Sequence, residues 1–235
     1  MSVEVGDLVA LADDSMVLAQ RLGEWISHAP ELEEDIAIGN IALDHLGVAR
    51  ALYTHAGDLE GEGRTEDDFA MRRPERQFRN LLMVELPNGD FAHTMVRGLF
   101  FDAYQLRLWT DLAGSIDPTL AGIASRALKE ARYHRRHSAA WVIRLGDGTE
   151  ESHHRAQAAV DSLWSYTGEM FEGEAVAYRD AWLAMTGAVL DEATLHIPDD
   201  PFQRTGGRRG IHTEHLGHLL AEMQWLQRSY PGLAW

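Results

Sequence analysis

An all-α fold is predicted by three features of the sequence. Strand-like alternation is nearly absent from the 235 residues, apolar residues recur with helical spacing over long segments, and Gly-, Pro- and Asp-rich punctuation divides those segments. Residues 4–26 read as a first helix, with Leu8, Leu11, Leu18 and Leu22 among its apolar positions. "SHAPELEED" stops and restarts the chain. There Pro30 suits a first helical turn, and Glu31, Glu33 and Glu34 complement the helix dipole. A second helix reaches about Gly57, followed by the Gly- and charge-rich crossover "GDLEGEGRTEDDFAMRRPERQ" and a short helical piece within "RQFRNLLMVEL".

The turn "PNGD" introduces a third helix over about 91–113. Asp117-Pro118 supplies the N-cap and first position of a fourth, which ends at Leu145 before "GDG". Helices over 151–172 and about 174–195, a loop "IPDDPFQRTGGRRG" and a last helix opened by Thr213 complete the chain. Two helical hairpins joined by one long crossover match the ferritin-like arrangement of a four-helix bundle, although the loop lengths alone suit another all-helical bundle equally. The expected organisation is one domain over 1–235, with a core bundle over about 4–146 and appended helices over about 151–231.

The composition, 45% hydrophobic and 25% charged, is that of a soluble globular domain. A net charge of −16 argues against a nucleic-acid partner. The first residues lack a basic secretory n-region, and no apolar run approaches the roughly 20 residues that span a bilayer. The chain has no cysteine, which excludes disulfides, thiolate ligands and a Cys nucleophile. A cytoplasmic protein without a membrane partner is the expectation.

Hairpin arithmetic brings four acids to one height. From a turn centred near Ala29, Asp14 lies 29 − 14 = 15 residues back and Asp44 lies 44 − 29 = 15 residues on. From a turn near Ile116, Asp102 and Glu130 each lie 14 residues away, 116 − 102 and 130 − 116. At helical rise, every one of these acids is roughly 20 Å from its turn. Carboxylate-bridged metal sites in such bundles add Glu-x-x-His, because residues three apart project alike. Here the third residue after Asp44 is Gly47 and the third after Glu130 is Tyr133, with His134 arriving one place late. Tyr133 could place a phenol among the acids, and His134 could act as an ion-pair partner or replacement ligand. We read these positions as a degenerate metal site that binds no metal and carries no catalytic residue.

Five stretches carry a family resemblance: "LAQRLGEW" at 18–25, "HAPELEEDIAIGNIALDHLGVAR" at 28–50, "RQFRNLLMVELPNGDFAHT" at 76–94, "KEARYH" at 129–134 and "RTGGRRGIHTEHLGHLLAEMQ" at 204–224. They resemble the C-subunit family of bacterial phenylacetyl-CoA epoxidases. The resemblance implies a ferritin-like, structural subunit of a multicomponent di-iron monooxygenase in aerobic phenylacetate breakdown. It implies no cofactor in this subunit. The di-iron centre is expected in the catalytic A subunit with which this one pairs, and NADPH, FAD and iron–sulfur chemistry in a separate reductase. Other epoxidase subunits are expected partners. Two alternatives stand beside it: a chain that is itself a metal-binding oxygenase using Asp14, Asp44, Asp102, Glu130 and His134, and a free-standing helical binding protein.

Arg204, Arg208 and Arg209 sit among glycines in "QRTGGRRG", where they could meet a partner's acidic patch or the phosphates of phenylacetyl-CoA. His212, His215 and His218 rotate around their helix, and so predict capping and packing rather than zinc binding. Trp25, Trp109, Trp141, Trp164, Trp182 and Trp225 are scattered through helices, as core or interface residues are. No dinucleotide fingerprint or serine nucleophile elbow is present.

Overall fold

The computed structural model describes residues 4–232, and among these there is no β-strand. In chain order the helices are α1 (Val5–Gly23), α2 (Leu32–Glu60), α3 (Glu66–Met71), α4 (Leu82–Glu85), α5 (Phe91–Leu112), α6 (Pro118–Gly146), α7 (Glu150–Trp164), α8 (Arg179–Glu192), α9 (Glu214–Met223) and α10 (Trp225–Ser229). The all-α class and the long helices agree with the sequence. The chain divides into two compact units, one formed by Met1–Pro87 with Gly206–Trp235 and the other by Asn88–Thr205.

In the first unit α1 and α2 pack as a hairpin, and α3, α4 and α9 close over it. Leu8, Ala12 and Val17 of α1 meet Ile38, Ala49, Leu52 and Tyr53 of α2 in a core extended by Phe69, Phe78, Leu81 and Val84. Each large side chain so buried contributes about 1.5–3 kcal/mol. The second helix outruns its expected end, because Gly57 is a site of close approach rather than a stop. A Cβ there would lie 2.4 Å from the Arg64 carbonyl oxygen. The stop is Gly61, whose φ of 71° puts it in the left-handed conformation that glycine tolerates.

The crossover also contains a helix the sequence did not suggest. Thr65 caps α3 by accepting from the Asp68 amide while the Asp68 carboxylate accepts from the Thr65 amide. That short turn drives Phe69 into the core.

The second unit is built on the α5/α6 hairpin, against which α7 and α8 pack. Asp117 caps α6 by accepting from the amides of Thr119 and Leu120, with Pro118 in the first turn. The expected helices over 151–172 and 174–195 are shorter than their periodicity suggests, each giving way to 3-10 turns, at Gly168–Phe171 and Gly173–Tyr178. Trp182 explains the packing there. Its ring lies 5.6 Å from Phe100, 5.8 Å from Trp164 and 5.2 Å from Phe171, and its indole N–H donates to the Phe100 carbonyl. Trp109 is buried as well, but Trp225 is exposed.

Candidate functional site

Helix α1 carries two adjacent acids, Asp13 and Asp14, and both are buried. Neighbouring residues point about 100° apart, so both can be buried only where a helix is covered on two sides. In the first unit α2 covers one side, and the crossover with the C-terminal segment covers the other.

Asp13 accepts from both terminal nitrogens of Arg73, from the Tyr53 hydroxyl at 2.5 Å and from the Arg79 amide at 2.8 Å. Burial and the Asp13 charge push the Tyr53 phenol well above its ordinary pKa, so it remains a donor. Arg73 also donates to the carbonyls of Phe69 and Gln77, and its guanidinium lies 4.3 Å from the Phe78 ring centre. Asp14 accepts from the Leu81 amide at 2.7 Å and from Arg208 at 3.0 and 2.6 Å. Arg208 further donates to the carbonyls of Ala10 and Arg79.

A third buried acid, Glu85, accepts from the Thr213 amide at 2.6 Å and from Asn80 at 2.8 Å, and pairs with Nδ1 of His212 at 2.8 Å. The other ring nitrogen of His212 faces the Phe78 carbonyl at 3.0 Å, so both nitrogens see acceptors. Burial disfavours the imidazolium, but the hydrogen bond to Glu85 and the Glu85 charge outweigh it and raise the His212 pKa.

In the second unit Asp102 is buried on α5 and accepts from the Ser138 hydroxyl of α6 at 2.8 Å. Gly98, one turn before it, permits that approach, since a Cβ there would sit 3.2 Å from the Ser138 Cβ. Ser138 also bonds back to the His134 carbonyl, at 3.0 Å. Burial pushes Asp102 up to about 7, against the lowering by Ser138 and Arg135. His134 is buried on the same inward stripe of α6 as Ala127, Ala131 and Ser138. Asp102 and His134 offer an oxygen and a nitrogen within 4.8 Å of one another.

The remaining positions fall differently from the expected pattern. Tyr133 is 42% exposed, with His137 stacked beside it and Arg136 over its ring, so its phenol is not among the buried acids. Glu130 stands at the edge of the inward face of α6 and is held by Arg126 at 2.9 Å. Asp44 and Gly47 are half-buried, and His45 is the residue α2 turns fully inward. Arg208 faces inward to Asp14, whereas Arg204 and Arg209 are exposed. Arg204 lies over the rings of Tyr166 and Phe202.

Asp13, Arg73, Glu85 and His212 were not singled out in the sequence as members of a buried network. Only the Asp-Asp doublet in an otherwise apolar helix could have drawn attention. Both Asp14 oxygens are taken by Arg208 and a backbone amide, position 47 has no side chain, and Tyr133 faces outward.

These pKa directions give a pH dependence with a definite sign. Asp14, raised to about 6 chiefly by burial, and Asp102 hold protons in the folded state over a range where the unfolded carboxylates, at 3.8, have lost theirs. Their contribution, and that of His212, is therefore present at low pH and lost as pH rises through the folded values. Urea midpoints should fall between pH 5 and pH 8, and Asp102→Asn should flatten part of that fall. An unchanged slope in Asp102→Asn would place this carboxylate in water.

Together the fold and these residues define an all-helical protein whose buried carboxylates are matched mainly by its own arginines, a histidine and backbone amides. The chain belongs to the phenylacetic acid catabolic protein family, which it matches over residues 4–235. It is 49% identical over 239 residues, covering 96% of each chain, to the C subunit of 1,2-phenylacetyl-CoA epoxidase from Escherichia coli (strain K12). Among the described residues no helix is long and apolar enough to cross a membrane.

Proposed function

We propose that this chain is a structural subunit of a multicomponent monooxygenase that epoxidises the ring of phenylacetyl-CoA. The observation that carries the reading is the likeness, along nearly the whole chain, to a subunit of such an epoxidase. In this reading the chain pairs with a catalytic A subunit that holds the di-iron centre, and a separate reductase supplies electrons through NADPH, FAD and iron–sulfur groups. The Arg208–Asp14 pair supports a non-catalytic role, because a guanidinium stands against the α1 carboxylate that a metal would need. Arg204 and Arg209 are both exposed, where they can meet the partner or acyl-CoA phosphates.

A second reading, that this chain itself binds metal, draws on the buried Asp102 and His134. Iron analysis separates the two. Purified alone after growth with iron, the chain should hold less than about 0.2 iron, against the two of a di-iron centre. It should co-purify with the catalytic subunit when both are expressed. Near-stoichiometric iron lost in His134→Ala would sink the structural reading in favour of the second.

A further inference from the structure

Helix α2 is apolar on two faces. One is buried through Ile38, Ile41, Val48 and Leu52. The other runs Leu32, Ile36, Gly39, Leu43, Gly47, at spacings of four, three, four and four, which is one stripe of a helix. Its large side chains are bare, with Leu32 72%, Ile36 57% and Leu43 64% exposed. A row of large apolar side chains left bare to water on a second face marks a surface that another element covers.

The stripe borders a groove of ≈ 430 Å³ between α1 and α2, walled by Ile26, Ile36, Leu43 and Leu46. Gly23 and Gly39 also line it, and a Cβ on either would meet nothing within 4 Å. From Leu32 to Gly47 the stripe is about 22 Å long, the reach of four helical turns. A glycine-lined groove with large apolar walls suits a helix, whose side chains enter the gaps left by the glycines.

The charge around the groove selects the occupant. Asp35 lines the groove, and the segment 24–47 that forms most of its walls contains five further acids (Glu24, Glu31, Glu33, Glu34 and Asp44) and neither Lys nor Arg. The flanking cations are already engaged, Arg21 with Glu24 and the Glu85 carbonyl, and Arg50 with Glu66. A second copy of the chain docked groove to groove would set the five acids outside the Arg21–Glu24 pair against the same five. The complement is a helix with an apolar ridge and basic flanks.

We propose that this α1/α2 groove is the docking site for a basic-flanked amphipathic helix of the catalytic epoxidase subunit. The proposal rests on the reading of the chain as an epoxidase subunit. It adds which face makes the contact and what chemistry the partner brings.

The test uses the full chain and the purified catalytic subunit. Gly39→Leu fills the groove, and Ile36→Glu with Leu43→Glu extends the acidic field across it. Both changes are at solvent-facing positions, so the isolated variants should melt as the wild type does. Each should weaken association at least tenfold. Leu59→Glu, also at an exposed leucine of α2 but outside the groove, should leave it unchanged. Wild-type binding should also weaken as salt screens the acidic rim.

Wild-type binding matched by both groove variants would overturn the docking site and leave the epoxidase reading intact. A wild-type chain that binds no epoxidase subunit would overturn both. Loss of a homodimer in the groove variants, with binding to the catalytic subunit unchanged, would assign the groove to a second copy and overturn the proposal.

Discussion

The isolated chain should lose roughly 3–5 kcal/mol of stability when Arg73 is replaced by Met, the cost of leaving a buried charge without its partner. Methionine keeps much of the side-chain length, so the loss reports on the guanidinium rather than on a large cavity. Asp13 would retain only the Tyr53 hydroxyl and the Arg79 amide, and the carbonyls of Phe69 and Gln77 would each lose a donor. Asp13→Leu combined with Arg73→Met should recover part of the loss, since an apolar pair needs no partner. Additive single effects in urea melts would mean that the two residues stabilise the fold separately.

Arg208→Glu is expected to cost on the order of 3 kcal/mol in the isolated chain, because it sets a second carboxylate against the buried Asp14 and strips the carbonyls of Ala10 and Arg79 of their donor. Its neighbour provides the comparison. Arg209 is exposed and so does not stand against a buried carboxylate, and Arg209→Glu should cost less than Arg208→Glu. Adding Asp14→Asn to Arg208→Glu should recover part of the loss by removing the like-charge contact. If Arg208→Glu melts with the wild type, Arg208 does not hold Asp14 in solution and the loop is free to act at the surface. The two neighbouring arginines therefore differ in kind, which the tract "GGRRG" could not disclose.

Much of the fold was legible because helix ends are written locally. Asp117-Pro118 announces α6, and the turn "PNGD" precedes α5. Which residue faces inward was less legible, since one position along a helix is a rotation of about 100°. Helix α2, apolar on two faces, gives periodicity little to fix, and the inward residue is His45 beside Asp44. On α6 the same slip separates Tyr133 from the buried His134. The pairing of Asp14 with Arg208 spans 194 positions, and no local pattern reaches that far. Tertiary structure alone supplies it.

That span has a consequence for synthesis. The first unit is discontinuous, begun by residues up to Pro87 and finished only from Gly206 onward. Translation at about 5–20 residues per second separates the emergence of Asp14 from that of Arg208 by roughly 10–40 s. Through that interval the nascent chain carries Asp14 and Glu85 without the Arg208, His212 and Thr213 groups that later hold them, while residues 88–205 emerge whole and can fold. A chain that ends before position 208 therefore lacks the groups that hold Asp14 and Glu85 in the folded protein.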